Sequence, residues 1–315
     1  MTPEQGATAT AVEHVLALKT VAPFSSLPPE DLALLVERAT PRRYAAGDAL
    51  LERGVPVSAV HLVLEGRVEE QRGGRPWSTR APYELVGGVD AIAHAGEDLI
   101  AIASEPTRTL ELTRDDLVDA CLDRFAVLAT IASGVATMAI AARRRLGKEA
   151  GFTSVRPAAA ARRERRLDLA DRIVVLRETP ALRDTRVRTV GEIARAMELE
   201  TIDAGTVLWR AGEPADRLLV VVAGAVRCTT EDAAHEFTLG PQDAIGVLDA
   251  VAGAPRWYGA TAETAVAALA LPVDHLMDVL EDDPEAAVDG LERFARATSA
   301  LVQRVARDAP ARTPR

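Results

Sequence analysis

The sequence predicts a mainly β protein with flanking helices, laid out as two tandem β-rolls, that is, small jelly-roll barrels. Three observations predict it. The chain repeats itself in one register; each repeat strings short strands between glycine-bearing turns; and each repeat closes on a long helix with a narrow apolar seam.

The repeat is the strongest of the three. Gly47, Gly54 and Gly66 recur as Gly205, Gly212 and Gly224, each 158 residues later. The same offset joins Val15-Leu16-Ala17-Leu18-Lys19 to Ile173-Val174-Val175-Leu176-Arg177. Further on it becomes 159, where Val86-Gly87-Gly88-Val89-Asp90-Ala91 meets Ile245-Gly246-Val247-Leu248-Asp249-Ala250. One inserted residue across such a span is the mark of a duplicated domain, because chance glycine matches do not hold one register. The boundaries expected are a flexible tail at 1–10, domain 1 at 11–147, a basic linker at 148–168, domain 2 at 169–308 and a second tail at 309–315.

Each repeat begins with an amphipathic helix, and Pro28 and Pro29 then sit near the start of a second one, where their missing N–H groups cost nothing. Strand–turn signals follow, such as His61 to Val68 and Arg217 to Gly224. Many short strands with regular turns read as a sandwich or jelly roll. The closing helices carry 3-4 spacing: Phe125, Leu128, Ala132, Val135, Ala139 and Ala142 in one, Leu291, Phe294, Thr298, Leu301 and Val305 in the other. Such a seam either pairs with another helix or packs on its own barrel.

Composition bounds the function. Apolar residues are 48% and aromatics only 3%, so the cores must be Ala, Val, Leu and Ile. The net charge of −10 argues against broad nucleic-acid binding. Cys121 and Cys228 are far apart and form no metal or redox motif, which reads as two reduced thiols. The start lacks the basic and apolar regions of a signal peptide, and no apolar run is read as reaching the roughly 18 residues a bilayer requires. A cytoplasmic protein that does not meet a membrane is expected. The five histidines show no metal spacing, and no nucleophile elbow, Walker loop or dinucleotide fingerprint occurs, so no enzyme is expected.

Two stretches carry a resemblance. Pro23-Phe24-Ser25-Ser26-Leu27-Pro28-Pro29-Glu30-Asp31-Leu32 resembles the first helix of cyclic-nucleotide-binding domains, the sensor modules of Crp/Fnr-type bacterial regulators and of protein kinase A regulatory subunits. Gly212 to Asp216 with Leu219 to Val226 resembles the central hairpin of the same family. The resemblance covers nearly the whole chain, twice. In the family a cassette reading roughly Phe-Gly-Glu-Leu-Ala-Leu, then Pro-Arg-Ala-Ala-Thr, holds the ligand. Its Glu takes the ribose hydroxyl, while its Arg and backbone amides take the cyclic phosphate.

By that resemblance the candidate ligand-binding residues of domain 2 are Gly246, Val247, Leu248, Arg256, Tyr258, Gly259, Ala260 and Thr261. Aligned from Gly246, Arg256 takes the place of the family's Arg; aligned on the final Gly259-Ala260-Thr261, Tyr258 does. The ribose Glu is replaced by Val247 in domain 2 and Gly88 in domain 1, and Glu97 stands where Arg256 stands. The pocket of domain 1 is therefore expected to be dead and that of domain 2 degenerate, with Arg256 read as a surface side chain. A cyclic nucleotide (cAMP or cGMP) in domain 2 is the alternative.

The family's transcription factors continue into a helix-turn-helix, for which no segment is found here. The basic linker holds ten Lys or Arg against four acids between Arg143 and Arg172, which leaves a nucleic-acid-associated regulator as a further alternative. Residues 144–168 are expected to be dispensable for folding. The reading favoured is a non-catalytic bacterial regulatory protein that meets a protein partner, or self-associates, through its closing helices.

Overall fold

Every strand of the first repeat has a counterpart in the second. The computed structural model describes residues 3–146, 167–231 and 235–308, with residues 3–10 described as backbone only. Roll one comprises helices α1 (Pro3–Lys19) and α2 (Pro29–Arg38), then strands β1 (Thr40–Tyr44), β2 (Ala49–Leu51), β3 (Ala59–Glu65), β4 (Val68–Arg72), β5 (Arg75–Arg80) and β6 (Leu85–Val86). A short helix α3 (Gly88–Ala93), strands β7 (Leu99–Ala103) and β8 (Thr107–Thr113), and helices α4 (Arg114–Asp123) and α5 (Phe125–Leu146) complete it. Roll two repeats the order with α6 (Leu169–Glu178), α7 (Val187–Ala196), β9 (Glu198–Ile202), β10 (Val207–Trp209), β11 (Arg217–Ala223), β12 (Val226–Thr230), β13 (Glu236–Leu239) and β14 (Ala244–Ile245). It ends on α8 (Val247–Ala252), β15 (Tyr258–Ala262), β16 (Val266–Pro272), α9 (Val273–Asp282) and α10 (Pro284–Asp308).

The sheets agree as closely as the boundaries. Roll one has antiparallel sheets ordered β1-β8-β3-β6 and β2-β7-β4-β5; roll two has β9-β16-β11-β14 and β10-β15-β12-β13. Even registers correspond: Thr40 pairs with Glu111, and Glu198 with Ala270. The paired glycines earn their places at the hairpin turns. Gly66 has φ +87° and Gly224 φ +92°, and a Cβ on Gly224 would lie 2.4 Å from the carbonyl oxygen of Ala265. Only glycine meets both demands.

In roll two the sheets enclose one core of Trp209, Val221, Cys228, Phe237, Trp257, Tyr258 and Val266, into which Ile140 also packs. A second core lies between one sheet and the helices, holding Leu167, Leu176, Ile193, Met197, Leu218 and Leu269. Leu167 thus belongs to roll two, and the Asp168 carboxylate caps α6 in a capping box with Asp171. The rest of the basic linker, 147–166, and the tail at 309–315 lie outside the described residues.

Three expectations need correction. The N-terminal tail is helical from Pro3, since proline suits a first turn and Glu4, Ala7, Ala9 and Ala11 are good helix formers. Helix α5 is long and apolar enough to cross a membrane by length and composition, with mean hydropathy 2.0 over a window of which half is buried. Its scattered Thr, Ser and Gly hid a stretch from Phe125 to Ala142 that carries no charge. The compact units also differ from the repeats: one is Met1–Val135 with Leu291–Arg315, the other Ala136–Gly290. Each unit is completed by the end of the other repeat's closing helix. The seam residues Leu128, Val135, Ala139 and Ala142 and Leu291, Thr298 and Val305 are buried.

His61, in β3, makes roll one acid-sensitive. Its side chain is buried beside Thr109 Oγ1 at 3.4 Å and edge-on to Tyr44. Burial, only partly opposed by Glu111, pulls its pKa down to about 4. An unfolded histidine titrates near 6.5, so between that pH and about 4 the unfolded chain binds the extra proton. Stability at pH 7 is undiminished; it falls by up to about 3 kcal/mol as pH drops through that window and levels off below it. Urea titrations of the wild type and His61→Gln at pH 7 and pH 4.5 check this, the variant losing much less on acidification.

Candidate functional site

In roll two the cassette folds inward on itself. Gly246, at φ +76°, turns the chain into the six-residue helix α8. Val247 packs on the helical core and Leu248 on the core between the sheets. From the loop after α8, Arg256 reaches back into the roll and is only 2% exposed. Its Nη1 donates to the Gly246 carbonyl at 3.1 Å and its Nη2 to the Arg217 carbonyl at 2.5 Å. Carboxylate oxygens of Asp249 and Asp216 lie 3.6 and 3.7 Å away, and the guanidinium carbon sits 4.1 Å from the centroid of the Trp209 ring. A Cβ at position 246 would lie 2.4 Å from Arg256 Nη1, so the glycine is what admits the arginine.

Aromatic rings fill the remaining space. Of the eleven Phe, Trp and Tyr residues in the chain, four gather here. Trp257 is edge-on to Tyr258 at 5.0 Å, and Phe237 packs on both. Tyr258 Oη accepts from the Gly246 amide at 2.9 Å, and its carbonyl accepts from Trp209 Nε1 at 3.1 Å. Desolvation raises the phenol's pKa well above its ordinary value. Asp249 is fully buried, which pushes its carboxyl up to about 6 against the opposing pull of Arg256.

The structure brings Gly246, Arg256 and Tyr258 together and places the others differently. Arg256 is interior, not on the surface, because Asp249 and the backbone carbonyls compensate its charge there. Gly259, Ala260 and Thr261 lie in β15, an interior strand; Ala260 is paired with both Cys228 and Trp209. Their amides belong to a sheet ladder rather than to a helix N-terminus. Tyr258 heads that strand as Leu99 heads β7 in roll one.

Roll one solves the same problem with other residues. Asp90, the counterpart of Asp249, is buried and pairs with Arg72 Nη2 from β4, whose counterpart is Thr230. Arg72 is 3% exposed. Glu97, by contrast, points to solvent, so it does not face the pocket and the expected charge reversal there is removed. Its position is in a loop whose side chain is free to turn outward. The interior is polar: buried Glu70 accepts from Ser78 Oγ and, at 2.9 Å, from Arg80 Nε. From α10, Ser299 Oγ donates to Asp90 Oδ1 at 2.5 Å, Arg296 Nε to the Ala93 carbonyl at 3.3 Å, and Glu292 pairs with Arg114. Sequence reading missed Arg72 and Ser299. The signal for Arg72 was present, since alternation in β4 places it on the same face as Val68.

Residues 199–283 match the family model of the cyclic nucleotide-binding domain. A cyclic nucleotide-gated potassium channel of Mesorhizobium japonicum is 35% identical over 113 residues, 35% of this chain and 31% of the channel. The global nitrogen regulator of Synechococcus elongatus is 28% identical over 131 residues, 39% of this chain and 59% of that protein. The chain thus spans less than two thirds of either relative. Among solved structures, the regulatory subunit of a cAMP-independent protein kinase A from Trypanosoma brucei is similar over 90% of this chain and 88% of that one, at 17% identity and TM-score 0.35. The N-terminal domain of a transcriptional regulator from Streptomyces coelicolor A3(2) is similar over 43% of this chain and 97% of that one, at 29% identity and TM-score 0.36.

Strand order and family match together give the class of fold: two β-rolls, the second of cyclic nucleotide-binding type. Residues 199–283, within the second roll, match that family's model, and the first roll repeats the second's strand order.

Proposed function

We propose that this protein is a non-catalytic, cytoplasmic regulatory protein of Crp/Fnr-like bacterial type, acting through protein contacts, in which roll two is a sealed lobe rather than a nucleotide receptor. The observation that supports it is Arg256. In the family this cation meets the ligand's phosphate; here both its terminal nitrogens donate to backbone carbonyls, of Gly246 and Arg217, its face lies on Trp209, and only Nε is left without a hydrogen-bond partner. A phosphate would have to break those contacts and would find no Glu for the ribose, since Val247 is there instead. The seams of the closing helices are largely buried, so the contacts proposed for a protein partner use other surfaces. Leu16 and Val174, apolar and exposed at corresponding positions of α1 and α6, are such places.

Calorimetry of the full chain with cAMP and cGMP tests the reading. The expected result is no binding that depends on Arg256, with wild type and Arg256→Ala giving the same trace. Nucleotide binding by the wild type that Arg256→Ala abolishes would establish roll two as a receptor and sink the proposal.

A further inference from the structure

Both rolls leave buried polar atoms without a hydrogen-bond partner among the described residues, but at different places; in roll two they include Arg256 Nε and the two carboxylate oxygens of Asp249. Among the described residues, Nε and Nη1 of Arg72 and Oδ1 of Asp98 are buried without a hydrogen-bond partner. They are neighbours, with Nη1 and Oδ1 3.6 Å apart. Around them stand Asp90, held by Arg72 and Ser299, and Glu70, held by Ser78 and Arg80. Trp77 offers a ring face 5.9 Å from the Arg72 guanidinium carbon. Roll two has Thr230, Trp257, Cys228 and Phe237 at the places of Arg72, Asp98, Glu70 and Ser78, and Ile140 at the place of Ser299.

Charge decides what fits. Two guanidinium groups face three carboxylates in roll one. A simple anion would answer Arg72 but meet Asp90 and Asp98 at close range, and a simple cation would answer Asp98 but meet Arg72. A molecule bringing an oxyanion and an N–H donor side by side satisfies both open sets. We infer that the interior of roll one binds a small zwitterion of amino-acid type, its carboxylate on Arg72 and its ammonium on Asp98. Asp90 joins Arg72 to Ser299, so the ligand's grip on Arg72 is passed directly to α10. The inference stands whether or not roll two is sealed.

The test is a thermal-shift and calorimetric screen of the full chain with the common L-amino acids, with acetate, methylamine, inorganic phosphate and cAMP as controls. At least one amino acid is expected to raise the melting temperature while acetate and methylamine do not. In Asp98→Asn, whose side chain is 31% exposed and whose fold is checked by circular dichroism, affinity should weaken by about tenfold or more. Arg72→Lys should also lose binding, but Asp98→Asn alone decides if that variant does not fold. The inference is overturned if no amino acid binds, if acetate or phosphate binds as well as any amino acid, or if Asp98→Asn binds unchanged. Binding that persists in Asp98→Asn but falls in Arg256→Ala would assign the site to roll two.

Discussion

Residues 1–147 and 169–308 expressed as separate polypeptides will each lose cooperative melting, and mixing the two will restore it. Each piece carries the wrong helix end. The first lacks Leu291–Asp308, which in the whole chain buries Leu291, Ala295, Val302, Val305 and Ala306 and gives Asp90 its Ser299 partner. Burying one Val or Leu is worth roughly 1.5–3 kcal/mol, so three of them rival the whole net stability of a domain, about 5–15 kcal/mol. The second piece lacks Ala139, Ile140 and Ala142 in the same way. A repeat cannot cure itself by pairing with its own copy, because Asp90 would then face Ile140. Circular dichroism melts of each piece and of the mixture settle the matter; two cooperative transitions from the isolated pieces would show the exchanged ends to be dispensable. The same composition revises the expectation that 144–168 can be removed, since that cut takes away the buried Leu146 and Leu167.

Arg256→Met is expected to destabilise the protein by about 3–5 kcal/mol, because the buried Asp249 carboxyl loses its cation and must either stay charged in the interior or take up a proton. Asp249→Leu alone should cost a comparable amount by stranding Arg256. Together they should cost far less than the two costs added, since buried ion pairs are commonly replaceable by apolar groups of similar volume. Urea denaturation of the four proteins at pH 7.5 gives the coupling directly. The pH dependence has a definite sign: with its pKa raised to about 6, Asp249 takes up a proton more readily folded than unfolded. Roll two therefore gains stability as pH falls through 6 toward the ordinary carboxylate range, opposite to the effect of His61. Additive losses in the double variant would show that the pair is not a unit.

Much of this was legible in the sequence. The offset of 158 and then 159 carried the register from one roll to the other, because the glycines at the shared turns, Gly47, Gly54 and Gly66 with Gly205, Gly212 and Gly224, all stand at positive φ. The pairing of Arg256 with Glu97 in the alignment was also right. What spacing does not carry is direction. Arg256 turns inward because Gly246 leaves room and Asp249 balances it; Glu97 turns outward because its loop leaves it in water. Arg72 stands beside Gly73-Gly74 and reads as a turn residue, though its strand parity points it inside. Ser299 lies 209 residues from Asp90, and one helix position says nothing about which roll it meets.

The exchange of helix ends has a consequence for how such a chain diverges. When two identical subunits trade helices, one codon serves both copies of a contact, and a substitution must suit both at once. After fusion the two copies are inherited separately. Position 140 is Ile while position 299 is Ser; the cation beside the corresponding aspartate comes from position 256 in one roll and 72 in the other. Each roll then accumulates changes answerable only to the helix that reaches it. Specialisation follows: one copy drifts toward oil and rings, the other toward charge.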